Sequence, residues 1–387
     1  MGIPLDYNLR NLRVRWRSTL ATVVGIALVV AVFIFVRALA HGMESTYVNT
    51  GDERNLIVLR KGSTAESSSQ LSREEARRIK YLDGIVRDEH GEPLASAEII
   101  VLILLERTGE RGTANVLVRG IGPATLALRP QIRITEGRML RPGLHECIVS
   151  RRIAERFAHC RVGQSFQSGK TTWHVVGIFD ARQTAYESEI WVDADEVRSV
   201  FRRDFYGSVL LRPVNAIAAE SLKQRMLADR LLNIKVQSET EYYREQTQSA
   251  GFFQFLAWFL AIIMTIGAAF AAMNTMYAAV GGRTREIGTL RVLGFRRRQI
   301  YASFLLESVM LSLLGGALGC MLSLLCNFVS TGTLSQTTFA EVAFQFQVTP
   351  RMMGAGMLFA LVMGVLGGLL PARLAARKPV LDALRAV

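Results

Sequence analysis

The five histidines, His41, His90, His145, His159 and His174, are scattered, and no pair stands at a spacing that would let one helix or turn hold a metal ion. Neither a G-x-S-x-G elbow nor an H-E-x-x-H helix occurs, so a nucleophilic serine and a metal-activated water both lack a sequence frame. SGKTTW at 168–173 carries the closing residues of a phosphate-binding loop, where glycine-rich backbone cradles phosphates and a lysine neutralises them. The upstream Gly163 stands one residue too far from Gly169 for that loop. Lys170 therefore reads as part of a hairpin turn ahead of a strand at 173–179. Acids in the central region fall at expected helix starts and exposed faces, where capping and solvation account for them. No catalytic, cofactor-binding or metal-binding residues emerge, and the chain does not read as an enzyme.

What remains is recognition chemistry. RTREIGTLRVLGFRRRQI (283–300) gathers Arg283, Arg285, Arg291, Arg296, Arg297 and Arg298 around a single acid, Glu286. Helical spacing places Ile287, Leu290 and Leu293 on one stripe, with Arg285, Thr289 and Arg296 off it. Gly294 is placed to end the helix as a C-cap. Three readings fit: a basic anchor, a lipid-binding patch, and a docking helix for a soluble partner. The first two need arginines in no particular order. The third needs apolar anchors, oriented arginines and an acid, and the segment has all of them.

The elements around this segment set its address. Uncharged apolar runs cover 19–36, 252–280, 308–338 and 352–370, each at least the roughly 18 residues needed to cross a hydrocarbon core of about 30 Å. Four transmembrane helices follow, and the polar end of the third run (330–338) reads as loop. The first run follows a basic stretch and precedes Ala38-Leu39-Ala40, which resembles a signal-peptidase site. It exceeds the roughly 7–15 apolar residues of a signal peptide, so it reads as a retained anchor. Short-loop arginine and lysine mark the cytoplasmic side. Arg10, Arg13, Arg15 and Arg17, the six arginines of 283–298, and Arg373, Arg377, Lys378 and Arg385 all lie on that side. With Asp6, Glu286 and Asp382 subtracted, these segments hold +11 of the net +13. The basic charge is thus a consequence of topology, and nucleic-acid binding is excluded as its explanation.

The resulting division is an amphipathic interfacial helix at 1–18, built on Leu5, Leu9, Leu12 and Trp16, then helix 1 at 19–41 and an extracytoplasmic domain at 42–250. Helix 2 with a stalk covers 251–280, the cytoplasmic segment 281–300, helix 3 301–329, an outer loop 330–351, helix 4 352–371 and a cytoplasmic tail 372–387. Within the outer domain, strands are expected at 55–59, 98–105, 115–121, 146–150, 173–179, 189–192 and 208–212. Capping boxes at Ser72/Glu75, Asp193/Glu196 and Ser238/Glu241 mark helix starts. This alternation predicts α+β architecture in two small subdomains rather than one sheet. Cys147 and Cys160 flank the strand-and-helix piece at 146–159 in a compartment that permits oxidation. Sequence alone does not say whether their Cα atoms come within bonding distance. Cys320 and Cys326 read as small apolar fillers. Gly315/Gly319 and Gly364/Gly368 each share a helix face, suiting close packing within the bundle or across a permease dimer.

RTREIGTLRVLG followed by RRRQI resembles the loop between the second and third helices of MacB/FtsX-type ABC permeases, the type VII or mechanotransmission group. LPARLAARKPVLDALR (370–385) resembles that family's closing segment, with Lys378-Pro379 in place of the commoner Asp-Pro and Leu381-Asp382 in place of Val/Ile-Glu. VRGIGP (118–123), the GR of EGRML (136–140), ECIVS, VGQSF (162–166) and VVGIFD (175–180) resemble phrases of the family's periplasmic core domain.

The resemblance implies four transmembrane helices and a MacB-like outer α+β domain, porter-like with a second subdomain, in a bacterial inner membrane with both termini cytoplasmic. It implies a permease subunit that binds no cofactor itself and works with a separate ABC ATP-binding subunit, which binds the ATP. It also implies a second permease copy, identical or different, contact with membrane lipids and a periplasmic adaptor. Residues 281–294 would be the coupling helix, with Arg283, Arg285, Glu286, Ile287, Leu290, Arg291, Leu293 and Gly294 at the ATPase and Glu307, which matches an acid usual in the family, in support; on its own chemistry Glu307 is expected simply to pair with a loop arginine. The expected activity is export or extraction of an amphiphile, peptide, lipid or lipoprotein. Alternatives are an FtsX-like regulator of cell-wall hydrolases, a LolC/LolE-like lipoprotein-release subunit, and a membrane receptor without an ATPase, which would leave the order of 283–294 unexplained.

Overall fold

The computed structural model describes residues 16–109, 112–182, 184–328, 330–334 and 341–378. The interfacial helix expected at 1–18 and the cytoplasmic tail at 372–387 fall mostly outside them. The chain divides into two compact units, one of long helices and one built on residues 42–250 and 330–345.

In chain order, α1 (Trp16–Val48) leads to β1 (Leu56–Arg60), β2 (Leu71–Ser72), α2 (Arg73–Lys80), β3 (Ala95–Glu106) and β4 (Thr113–Ile121). After α3 (Thr125–Leu128) come β5 (Arg133–Gly137), β6 (Glu146–Ser150), α4 (Arg151–Arg156), β7 (Ser165–Ser168) and β8 (Thr171–Asp180). Next are β9 (Glu189–Asp193), α5 (Ala194–Val200), β10 (Phe205–Tyr206), β11 (Ser208–Leu211), α6 (Ala216–Ala228), β12 (Ile234–Ser238) and α7 (Glu239–Gln246). Every strand expected from the sequence is present to within a few residues.

The arrangement differs from expectation in one respect. Instead of two sheets there is one continuous ten-stranded sheet, ordered β12-β1-β11-β3-β4-β9-β6-β8-β5, with β7 pairing β8. The cause is β3. Its first residues pair with β11 (Ala97↔Val209) and its remainder with β4 (Val101↔Val118), so one twelve-residue strand serves both halves. Each half nevertheless has its own core. Val58, Ile79, Val209, Leu222 and Val236 pack on one side of that division. Ile99, Val101, Ile103, Val116, Val149, Trp173 and Val192 pack on the other.

Along β3, Ile99, Val101, Ile103 and Leu105 are buried while Leu102 and Leu104 are exposed, the period of a half-covered strand. The caps form as their residue types dictate. Ser72 and Glu75 satisfy each other's backbone N–H groups in a complete box, and Ser238 accepts from Glu241 N–H. Asp193 accepts from Asp195 and Glu196, but the Glu196 carboxylate turns away to the His145 N–H.

The helical unit contains α8 (Gln248–Gly281), the short α9 (Thr284–Val292), α10 (Arg297–Leu324) and α11 (Pro350–Arg377). Spans long and apolar enough to cross a membrane run Thr19–Val48, Trp258–Gly281, Arg297–Asn327 and Pro350–Arg377. Between the last two, the segment read as loop contains a hairpin of β13 (Ser330–Leu334) and β14 (Glu341–Gln345) belonging to the outer unit. Glu341 fixes it there by accepting from Arg107 at 2.5 Å and from Arg156.

The small-residue pairs are used inside this bundle. A side chain at Gly315 or Gly319 would collide with Val23, Ile26, Ala27 and Val30 of α1. At Gly364 and Gly368 it would meet Ser312 and Ser308 of α10. There Ser308 Oγ donates to the Gly364 carbonyl at 2.8 Å, a bond that only close backbone approach permits.

Candidate functional site

The arginine-rich segment folds as a nine-residue helix, α9, and the structure shows how its sequence is divided. Ile287 is buried among Met276 and Val280 of α8, Ile300, Phe304 and Leu311 of α10, and Ala372 and Ala375 of α11. Gly288 is buried beside it. Arg283 is buried too, and its two Nη groups donate to Glu307 at 2.8 and 3.1 Å. Glu307 thus takes the loop arginine expected of it. Lys378 Nζ adds a third tie, donating to Thr284 Oγ1 at 2.7 Å. Three neighbouring helices therefore hold one face of α9.

The opposite face is open. Arg285, Glu286, Thr289, Val292 and Leu293 are exposed and stand at helical positions i, i+1, i+4, i+7 and i+8, a single stripe. Val292 and Leu293 are 63% and 71% exposed, large apolar side chains offered outward beside charge. Leu290 and Arg291 are intermediate, and Arg291 Nη1 donates to the Phe295 carbonyl. The helix ends as the sequence suggests. Gly294 takes φ +91°, its N–H bonds the Arg291 carbonyl, and the Phe295 N–H reaches back to Leu290, the paired bonds of a Schellman stop.

The expected stripe of Ile287, Leu290 and Leu293 is therefore split. Ile287 and Arg283 face the chain's own bundle, while Arg285, Glu286 and Leu293 share the outward face with Thr289 and Val292. Helical period alone could not show which side a short helix under a bundle keeps for itself. The adjacent Gly288 was the available signal, since it lets α9 lie close against its neighbours.

The outer domain holds a second polar cluster, which sequence reasoning did not assemble. Arg119 Nε and Nη2 bond Glu189 at 2.7 and 2.9 Å, and its Nη atoms bond Glu66 and Glu98. Arg129 bonds Glu98 through both Nη atoms at 2.5 and 2.8 Å and donates from Nε to the Tyr186 hydroxyl. Tyr186 donates to Glu239, and Tyr243 donates to Tyr186. All these side chains are buried. Burial raises the Glu98 pKa, but Arg129 and Arg119 outweigh it and hold Glu98 below the usual carboxylate range. At Glu239 burial wins over Arg129 and the pKa is raised. Charged residues within buried strands, Glu98, Arg119 and Glu189, were the visible sign that such partners must exist. The ties join β3, β4, β9, α7 and three connecting segments, those of Glu66, Arg129 and Tyr186, an architectural role.

Cys147 and Cys160 are both buried, in one core, and both are free thiols, so the pairing left open by the sequence is not made. Burial pushes the Cys160 thiol up to about 12 and Cys147 upward as well. Among the described residues no cluster of three or more His, Cys, Asp or Glu could hold a metal ion.

Four membrane-length helices, a large mixed-sheet domain between the first two and a short amphipathic helix on the arginine-rich side define a polytopic membrane protein of permease type. The MacB-like periplasmic core domain family matches residues 18–228, more than half of the chain, and the FtsX-like permease C-terminal family matches 258–380. The chain belongs to the MacB/FtsX permease family. It is 28% identical over 245 residues to "Macrolide export ATP-binding/permease protein MacB 1" of Yersinia pestis bv. Antiqua, covering 59% of this chain and 36% of that protein. Identity to "Macrolide export ATP-binding/permease protein MacB" of Escherichia coli K12 is 27% over 236 residues, covering 58% and 35%. The chain thus spans about a third of the length of these curated relatives. The periplasmic region of MacB from Actinobacillus actinomycetemcomitans is similar at TM-score 0.39 and 14% identity, covering 50% of this chain and 92% of that one.

Proposed function

We propose that this chain is the permease subunit of an ABC-type transport system and that the exposed face of α9 is where an ATP-binding partner docks. The observation that carries this reading is the division of α9. One face is locked to three helices by Ile287, Arg283–Glu307 and Lys378–Thr284. The other presents Arg285, Glu286, Thr289, Val292 and Leu293. A basic anchor or lipid patch needs charge but no such partition; a force-bearing joint needs both a grip on its own bundle and a surface for a partner. The relatives' names, which pair ATP-binding with permease, agree with this reading.

In this scheme the partner's ATP-driven movement displaces α9, and α8, continuous over 34 residues, carries the displacement toward the outer domain. Two permease copies would work together, and the outer domain would engage an amphiphilic, peptide, lipid or lipoprotein cargo, with a periplasmic adaptor receiving it. The length of the outer domain favours transport over a small regulator of cell-wall hydrolases.

The test is a photo-crosslinking residue at 289 in the full chain, in its own membrane, with mass spectrometry of the adducts. An ATP-binding polypeptide is expected. Val292→Asp with Leu293→Asp, and separately Glu286→Lys, should abolish that adduct while the protein still inserts. Adducts to lipid alone, or undiminished adducts in both variants, would sink the docking assignment.

A further inference from the structure

The outer domain contains a cleft of about 550 Å³ between α2 and α5, floored by Ala95–Ala97 of β3 and by Ile121 and Gly122. Arg73, Arg77 and Lys80 line it from α2 at positions i, i+4 and i+7, and Arg198 lines it from α5. Its acids are Asp193 and Asp195, and both have other duties. Asp193 caps α5 through its carboxylate, and Asp195, whose side chain is 76% exposed, accepts from Arg198 Nη1 and from the Tyr206 hydroxyl.

The arginines of this cleft are short of partners. Arg78 and Glu75 of α2 form ion pairs, with Asp229 and Arg60 respectively, but no carboxylate meets Arg73 or Arg77 among the described residues. Arg73 also stands at the first position of its helix, the positive end, where a cation is disfavoured and Glu74 and Glu75 suit better. Arg77, in the last turn, suits the dipole of its helix, whereas Arg73 does not.

Arg198 is the decisive group. Its side chain is 2% exposed, its guanidinium lies over the Tyr206 ring at 4.6 Å, and Nη1 is satisfied by Asp195 and Tyr206. Nε and Nη2 are buried with no hydrogen-bond partner among the described residues. Those two N–H groups point the same way from the guanidinium and form the side-on fork that takes two oxygens of one oxyanion. Arg119 shows the arrangement completed in this same domain, its Nε and Nη2 both bonded to Glu189. In Arg198 the same two donors meet no acceptor among the described residues, and leaving charged donors unpaired in a protein interior is costly.

We propose that the α2–α5 cleft binds a phosphate group, taken side-on by Nε and Nη2 of Arg198 and neutralised by Arg73, Arg77 and Lys80. Four cations against two committed acids favour a tetrahedral oxyanion of charge near −2 over a singly charged carboxylate. The group is either free phosphate or the headgroup of a phosphorylated lipid or glycolipid. This site is independent of the α9 docking reading and survives its failure.

Calorimetric titration of the full chain in a glycoside detergent, free of phospholipid, tests it. Inorganic phosphate and glycerol 3-phosphate, a monoester of charge near −2, are the two probes, and acetate at matched ionic strength is the comparator. Saturable heat with either phosphate probe, and none with acetate, is expected. Tighter binding of the monoester assigns a phosphorylated lipid or glycolipid, and binding of inorganic phosphate alone assigns the free ion. Arg198→Lys keeps the charge but loses the fork and should weaken binding by about tenfold or more. The exposed pair Arg73→Gln with Arg77→Gln should also weaken binding and reduce its salt dependence. No saturable heat with either probe, an equal response to acetate, or Arg198→Lys binding as tightly as wild type would overturn the proposal.

Discussion

Breaking the Arg283–Glu307 pair tests whether α9 is gripped by its bundle or merely lies beneath it. The two side chains are 5% and 6% exposed and meet through two hydrogen bonds of 2.8 and 3.1 Å. Removing one partner strands the other charge in a protein interior, which typically costs about 3–5 kcal/mol, a factor of roughly a hundred to a few thousand in the local equilibrium. Glu307→Leu and Arg283→Met should each lower the apparent melting temperature of the purified chain by several degrees. Each should also open α9 locally. A cysteine in place of Ile287, which is 2% exposed in the native chain, should react with a water-soluble maleimide only when the clasp is broken. The double variant leaves neither charge stranded and should lose far less than the two singles together, with a coupling energy of about 2 kcal/mol or more. Additivity within about 0.5 kcal/mol, or a thiol at position 287 that stays protected in both single variants, would refute the grip.

Other outcomes follow from the same structure. A cysteine in place of Thr289 should label from the cytoplasmic side alone, and labelling from outside would reverse the topology. Gly364→Val drives a side chain into Ser312 and the Val309 backbone of α10, which an added Cβ would already crowd, and should reduce the folded yield sharply. The variant Gly354→Val, where nothing lies within 4 Å, is the matched control. Glu98 is held low, so its contribution to stability is present above the ordinary carboxylate pKa and is lost as pH falls through its depressed value. Glu239 is raised, so its penalty grows as pH rises from the ordinary value through the raised one. Acid melts of Glu98→Gln should be flatter than wild type on the low-pH limb, and an unchanged limb would count against this assignment. Cys147 and Cys160 should resist alkylation at neutral pH until the domain unfolds, because both are buried and burial raises both thiols.

Much of the architecture was legible because apolar runs and β-branched stretches report burial directly. The membrane helices needed only length and charge. Strands such as 146–150 and 189–192 needed only residue type. What escaped the sequence was relational. The continuity of the sheet depends on Ala95, Ser96 and Ala97 extending β3 backward, and such small residues carry no strand signal. The β13–β14 hairpin is polar at STGTL, so it read as loop until Glu341 was seen between two arginines. The acids of this domain read as caps or solvated groups, yet Glu98, Glu66 and Glu189 are buried, and only proximity shows that they answer Arg119. On α9 the residues of the exposed face were mostly visible, while the side of the helix they occupy was not. Arg198 gave no hint at all, since an arginine on a short helix is ordinary until its donors are counted.

The double allegiance of β3 has a mechanical meaning. Strain applied to either half of the outer domain enters this one strand through its ladder with β11 or β4 and then runs along its peptide backbone. Two lobes joined by a loop would absorb a pull by flexing at the joint. A shared strand instead acts like a cable through both, so displacement at one end reaches the other before any pairing has to break.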